Sequence, residues 1–348
     1  MTHPSDRSAQ ISRRTLALLV APLRRSGLHE LTEEECSAAL PFAHGLRVVD
    51  FQLGNLARAG ISEVIVLQPG LAQSRLCEHI RRVWSGSFDR MACLANPIGP
   101  DGLTRATLRR YLALIDRIGP DDLLLLSADH ICETDLGGLI AAHRRERNLL
   151  TLGAHSAGDD IGTGAVSEWI AALHVGVRTG IGAMILDWHW LRNLLARTEM
   201  TVGALSRQVI MAASREAGLQ IRDIGDPGLY WRRLDCLDTF RVTWLDFIDG
   251  PVLPCALPCP PDLPPDLIKA AEPLPSPQPN VRDSVIMPGG SVGPRALVSR
   301  AIIAPGAHVP DGMVIGHDPD FDARRFRLTT GGTILVTARM LAAETVPV

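Results

Sequence analysis

Between Pro251 and Pro279 the chain places eleven of its 25 prolines. Proline fixes φ and has no amide hydrogen to donate, so neither a helix nor a sheet interior survives such a run. A chain of 348 residues also exceeds a comfortable single core, and two domains are the natural expectation. The reading is a flexible N-terminus over 1–14, a first domain over 15–249, a proline-rich linker over 250–280 and a second domain over 281–348.

Upstream of the linker, Leu16 to Ala21, Val64 to Leu67 and Leu123 to Leu126 are short, nearly continuous apolar runs. Parallel strands covered by helices on both faces read this way, because neither side of the strand meets water. Helix-like stretches lie between them: Asn55 to Ala59 with Gly60 as a C-cap, Leu71 to Trp84, and Ala106 to Arg117. The alternation predicts an α/β fold, a Rossmann-like doubly wound sheet. Asp187-Trp-His-Trp190 reads as the start of a helix with half-buried aromatics.

Downstream the pattern changes. Val285, Ser291, Leu297, Ile303, Val309 and Ile315 recur every sixth residue, five of them aliphatic, with Gly289-Gly290, Gly293, Pro305-Gly306 and Pro310-Asp-Gly312 between. A period of six belongs to a parallel β-helix, one short strand per hexad with aliphatic side chains stacked inward and turn residues at the corners. The expectation is that these six positions share the inner phase.

A net charge of -3 and 4% aromatic residues supply neither the basic field nor the stacking platforms of a nucleic-acid binder. No apolar run reaches the roughly 18 residues of a spanning helix, so no membrane role is expected. Ser12-Arg13-Arg14 before an apolar stretch has a twin-arginine flavour, but Arg24 and Arg25 follow at once, and a first buried strand is the better reading. Seven cysteines in a chain without a signal sequence fit reduced thiols in a cytoplasm. Cys255 and Cys259 form half a zinc motif without a second pair.

Two C-terminal stretches carry more than pattern. Gly306-Ala-His-Val-Pro-Asp-Gly-Met-Val-Ile-Gly316, followed by Asp322-Ala-Arg-Arg-Phe326 and Ile334-Leu-Val-Thr337, resembles the ending "PEGMVIG…DARRF…LVT" of bacterial ADP-glucose pyrophosphorylases. Arg47-Val-Val-Asp50-Phe51, Asn55 and Gly60-Ile61 are similar to that family's "RIIDF…SN…SGI", Gln68 to its "TQY" and Arg82-Val-Trp84 to its "RGW". Ser127-Ala-Asp129-His130-Ile131 resembles "AGDHI", Gly180-Ile-Gly182 resembles "SMG" and Tyr230-Trp231-Arg232 resembles the opening of "YWRDVGT". The matches span about Ala17 to Leu341 with two gaps. On them the chain is identified as a divergent member of that family.

The resemblance implies a nucleotidyltransferase domain followed by a short left-handed β-helix of hexapeptide repeats. It also implies a role in glycogen synthesis, where working members join glucose 1-phosphate to ATP with Mg²⁺. Catalysis there is positioning plus neutralisation of phosphate charge. The β-helix implies subunit contacts, hence a homo-oligomer or a hetero-oligomer with an active pyrophosphorylase.

Against the family pattern, the phosphate loop "GGRGTRL" reads Pro22-Leu-Arg24-Arg25-Ser26-Gly27-Leu28, with all three glycines gone from their places and the second arginine replaced by Gly27. The "AKPA" lysine is Ser37, the sugar-binding "EKP" has no counterpart, and the aspartate of "WRDVGT" is Arg233. The chain's one lysine, Lys269, lies in the linker and can fill neither lysine role. Candidate cleft residues are Arg24, Arg25, Gln68, Gly182 and Trp231, with Asp129 as the Mg²⁺ carboxylate once nucleotide phosphates share the ion. The leading expectation is a catalytically impaired regulatory or partner subunit. The rivals are an active enzyme with a remodelled loop, and a sensor that binds ATP, ADP-glucose or a sugar phosphate without chemistry.

Overall fold

A computed structural model describes residues 13–21, 27–70, 74–95, 103–154, 183–197, 205–223, 230–250, 252–259 and 280–344. Arg24, Arg25 and Gly182, most of the proline-rich segment and the first twelve residues lie outside these.

The first domain is built on strands β1 (Thr15–Val20), β2 (Glu63–Gln68), β3 (Arg90–Ala95), β4 (Asp122–Ser127), β6 (Leu150–Ala154), β7 (Ala183–Asp187) and β8 (Leu219–Asp223), in the order β3-β2-β1-β4-β7-β6-β8. Pairing is parallel except around β7, which runs against both neighbours. Strand β5 (His130–Cys132) pairs antiparallel with β9 (Trp231–Arg233) as a separate ribbon.

The apolar run of β1 is explained by two cores. Ala17, Leu19 and Ala21 pack beneath α1 (Val48–Arg58), α2 (Arg75–Trp84) and α5 (Leu136–Glu146). Leu16 and Leu18 face the other way, toward α3 (Arg105–Arg110), α4 (Leu112–Ile118), α6 (Trp188–Ala196) and α7 (Leu205–Arg215). A strand buried on both faces cannot alternate polar and apolar residues.

The helices depart from the expected limits for local reasons. α1 begins at Val48, not Asn55, because Asp50 accepts the Arg47 amide at 2.7 Å and closes the first turn. The other Asp50 oxygen accepts the Trp84 indole at 2.7 Å and lies 2.7 Å from His79 Nε2, so this buried carboxylate pins α2 against α1. α2 starts at Arg75, with Ser74 Oγ accepting the Cys77 amide at 3.2 Å. The expected single helix over 106–117 is two, broken at Tyr111, whose hydroxyl donates to the Ala95 carbonyl at the end of β3. α6 starts as expected, with Asp187 accepting the Trp190 amide at 2.8 Å and Trp188 buried.

After the linker the chain forms a parallel β-helix of short strands: β10 (Val281–Arg282), β11 (Val285–Ile286), β12 (Ser291–Val292), β13 (Leu297–Ser299), β14 (Ala301–Ile303), β15 (His308–Val309) and β16 (Val314–Ile315). Helix α9 (Pro319–Arg325), strands β17 (Arg327–Leu328) and β18 (Ile334–Val336) and helix α10 (Ala338–Glu344) close it.

The hexad phase needs correcting. The inner side chains are Ile286, Val292, Val298, Ile303, Val309 and Ile315, so the step from Val298 to Ile303 is five residues. Equivalent positions such as Ser291 and His308 are 17 residues apart. One corner is a residue short, at Arg300, which takes a left-handed φ of 52°. Upstream of that corner the six-residue count is off by one: Leu297 is 39% exposed, Ser291 is exposed, and Val285 points out of the coil.

Val285 nevertheless is fully buried, because that wall of the β-helix packs on the first domain. Val285, Ile302 and Leu335 join Phe42, Phe51 and the residues Phe240, Trp244 and Phe247 of α8 (Leu237–Ile248) in one core. Phe42 makes edge contacts with Phe51 at 5.6 Å and Phe247 at 5.2 Å between centroids, the geometry aromatic pairs favour. Buried Arg241 crosses the interface, donating to Thr333 Oγ1 at 3.1 Å and to the Asp283 carbonyl at 3.0 Å, and pairing with the Asp283 carboxylate.

Candidate functional site

In an open α/β sheet the crevice for ligands lies beyond the carboxyl ends of the strands where the strand order reverses. Here β1 has β2 on one side and β4 on the other, so that point is the β1/β4 junction. Val20 pairs with Ser127, and the Ala128 amide donates to the Val20 carbonyl at 2.9 Å. The residues at the crevice are therefore Ala21 at the end of β1, Gln68 at the end of β2 and Ser127 to Asp129 after β4.

Asp129 is fully buried. Ser127 Oγ donates to its Oδ1 at 2.5 Å, and His130 Nε2 stands 3.8 Å from the same oxygen. Its backbone carbonyl accepts the Leu234 amide at 3.1 Å, which locks the β5–β9 ribbon under the crevice. In that ribbon Cys132 lies opposite Trp231, and His130 lies opposite Arg233. The Trp231 ring meets the His130 ring edge-on at 5.2 Å. The ribbon thus sets Arg233 at the end next to Asp129 and the Trp231 backbone at the other end, its ring reaching back to His130, while Gln68 sits across β1 from them.

Gln68 is also fully buried, and Ser74 Oγ bonds its Oε1 while capping α2. It borders a cleft of about 460 Å³ that sequence reasoning missed. The segment Glu33-Glu34-Glu35 forms one wall and Ser74 and Arg75 another. Arg75 pairs with Glu35 at 3.0 Å, and burial pushes the Glu35 carboxyl above its ordinary range, opposed by Arg47 and Arg75. Burial likewise pushes the neighbouring Cys36 thiol up to about 11. Three consecutive glutamates were the available signal, and as a wall they oppose phosphate rather than attract it.

Two of the departures from the family pattern are built into the packing. Gly27 forms a parallel bridge with Cys236, and a β carbon at 27 would stand 2.4 Å from the Asp235 carbonyl oxygen. Ser37 is fully buried, so a lysine there would have to bury an ammonium group among apolar neighbours.

Asp129 brings one carboxylate to the position that the resemblance assigns to Mg²⁺, where nucleotide phosphates would have to share the ion. Its Oδ1 is engaged by the Ser127 hydroxyl. Arg233, at the position that is an aspartate in the family pattern, lies across from His130, the residue after Asp129. Mg²⁺ asks for several oxygen ligands in near-octahedral array, and among the described residues no group of three or more His, Cys, Asp or Glu side chains could hold a metal. Cys255 is buried and Cys259 exposed.

Comparison with known proteins agrees with both halves of this architecture. A nucleotidyl transferase family model matches residues 26–167, and a GlmU-like C-terminal hexapeptide model matches residues 276–336. The glucose-1-phosphate adenylyltransferase of Teredinibacter turnerae is 26% identical over an alignment covering 99% of this chain and 100% of the relative. Those of Actinobacillus succinogenes and Rhodospirillum rubrum are each 25% identical, covering 94% of this chain and 94% and 96% of the relatives. The chain belongs to the glucose-1-phosphate adenylyltransferase family.

It is a divergent member. Among the described residues, no helix is long and apolar enough to cross a membrane.

Proposed function

We propose that this protein is a catalytically impaired member of the glucose-1-phosphate adenylyltransferase family that serves as a regulatory or partner subunit to an active member. The observation that carries the reading is the ribbon pair His130 and Arg233: beside the buried Asp129, the position that is an aspartate in the family pattern is an arginine. Adenylyl transfer to glucose 1-phosphate is an in-line displacement that depends on phosphate alignment and charge neutralisation. A chain without the glycine loop, without either lysine and with one carboxylate at the metal position lacks the groups for it.

The partner role is supported by an apolar strip on the second domain. Leu297 and Val314 are cross-strand neighbours on β13 and β16, 39% and 42% exposed. Apolar side chains paired side by side on an exposed β-helix wall offer a contact point for another surface.

The deciding experiment assays ADP-glucose formation from ATP and glucose 1-phosphate with Mg²⁺, for this chain alone and mixed with an active family member. The expected result is no product from the chain alone and altered kinetics of the mixture. Turnover by the chain alone within about tenfold of the common enzymatic median of roughly 10 s⁻¹ would overturn the reading in favour of a remodelled but working loop.

A further inference from the structure

Cys77 and Cys93 lie outside the crevice, and their thiols are hydrogen-bond neighbours where α2 packs on the edge of the sheet. Cys77 sits in the first turn of α2 and is fully buried. Cys93 sits on β3, the outermost strand, opposite Val66 of β2, and is half-buried. It packs on the same core as Leu76 and Ile80 of α2. We infer that the two cysteines form a reversible disulfide, and that closing it alters the wall of the cleft at Gln68, Ser74 and Arg75.

A short chain of contacts leads from the thiols to the cleft. The Cys77 amide donates to Ser74 Oγ at 3.2 Å, and that hydroxyl donates in turn to Gln68 Oε1 at the end of β2. The adjoining Arg75 holds Glu35 at 3.0 Å, and both line the cleft. The other supports of the pair are firmer. The second half of α2 is pinned by Asp50, which accepts the Trp84 indole and lies 2.7 Å from His79 Nε2. Strand β3 is paired with β2 along its whole length, from Glu63 with Arg90 to Gln68 with Ala95. Drawing the two sulfurs from contact to bonding distance is therefore taken up in the first turn of α2, at Ser74 and Arg75.

The oxidant is a small disulfide such as oxidised glutathione. The Cys93 thiolate, on the more accessible residue, attacks one of its sulfurs and releases the first glutathione. Cys77 then attacks the Cys93 sulfur of the mixed disulfide and releases the second. Both thiol protons end on the glutathiones, so two protein thiols are oxidised and one small disulfide is reduced. Burial first, and then the hydrogen bond to Cys77, push the Cys93 thiol above its ordinary range, against the charge of Arg81. Little thiolate is present at neutral pH, and exchange is slow. The pair is a latch that answers sustained oxidation rather than a fast sensor.

This inference goes beyond the proposal of lost catalysis, and the two are read by different measurements. The full chain is equilibrated with oxidised glutathione under native conditions, alkylated, and digested without reduction for mass spectrometry. The expected product is a peptide pair joined through Cys77 and Cys93 that is lost again on treatment with dithiothreitol. Hydrogen exchange of Gln68 and of the first turn of α2 should then differ at least about twofold between the oxidised and reduced forms, while strands β13 to β16 exchange equally. Cys93→Ser should give neither the joined peptides nor the exchange difference. If the serine variant does not fold, Cys93→Ala carries the same control. The idea is overturned if the native chain leaves Cys77 and Cys93 unlinked or links other cysteines in their place. It is equally overturned if the joined protein exchanges normally at Gln68 and α2, or if a folded Cys93 variant keeps the difference.

Discussion

Gly27 and Cys236 meet backbone to backbone: a β carbon added to residue 27 would stand 2.9 Å from the Cys236 β carbon. The bridge joins the end of the altered phosphate loop to the segment that follows β9, and the Leu237 amide donates to the Gly27 carbonyl at 2.9 Å. Gly27→Ala is expected to destabilise by about 1–3 kcal/mol, because the obstruction is backbone and cannot rotate away. Gly27→Arg, the change that restores the family loop, should cost more. Urea denaturation of the three proteins checks this, and equal midpoints would refute it.

The β-helix phase predicts opposite outcomes for two leucine-sized side chains. Ile303, fully buried on the inner wall, should lose about 2–5 kcal/mol on truncation to alanine. Leu297→Ala should change monomer stability by less than about 1 kcal/mol, since its side chain faces outward. Should a partner cover the strip, Leu297→Ala will weaken the complex while leaving the melting temperature of the isolated chain in place.

Arg241 is expected to act as the clasp between the domains. Arg241→Met, which keeps the aliphatic stem, removes the donors to Thr333 and Asp283 and should cost about 2–4 kcal/mol. Because the lost bonds lie between domains, limited proteolysis should cut 250–280 faster in the variant than in the native chain.

A surface clasp gives a pH signature. The hydrogen bond and charge of Arg327 hold the Glu30 carboxyl below its ordinary value of 4.5, and the arginine is raised in turn. A carboxylate with a lowered folded pKa contributes stability that is fully present above the unfolded value and is lost as pH falls through the folded one. Native protein should therefore melt higher than Glu30→Gln above about pH 5, with the gap closing as pH falls below about 4. A gap independent of pH would show that the pair contributes only its neutral hydrogen bond.

Much of the molecule was legible in the order of residues. Apolar runs buried on both faces announced the strands, and the matched segments announced the family. These are properties of near neighbours along the chain, where periodicity and backbone chemistry act directly. The departures were legible too, since a missing glycine or lysine is visible without coordinates. Trp231, Gln68 and Asp129 could be named, but not that Trp231 lies in a ribbon that starts next to Asp129 while Gln68 stands across β1.

What only the tertiary structure decided depends on contacts between distant positions. The hexad count could not reveal that one corner is a residue short, because Val285 is apolar for a different reason, burial against α8. Glu33 to Glu35 carried no reading in the sequence, and only the fold made them part of the lining of a cleft. Arg233 was a lost aspartate in the sequence. The fold sets it across strands from His130, the residue after the buried Asp129, since a register joining residues about a hundred positions apart is set by the packing of the whole sheet and not by either segment alone.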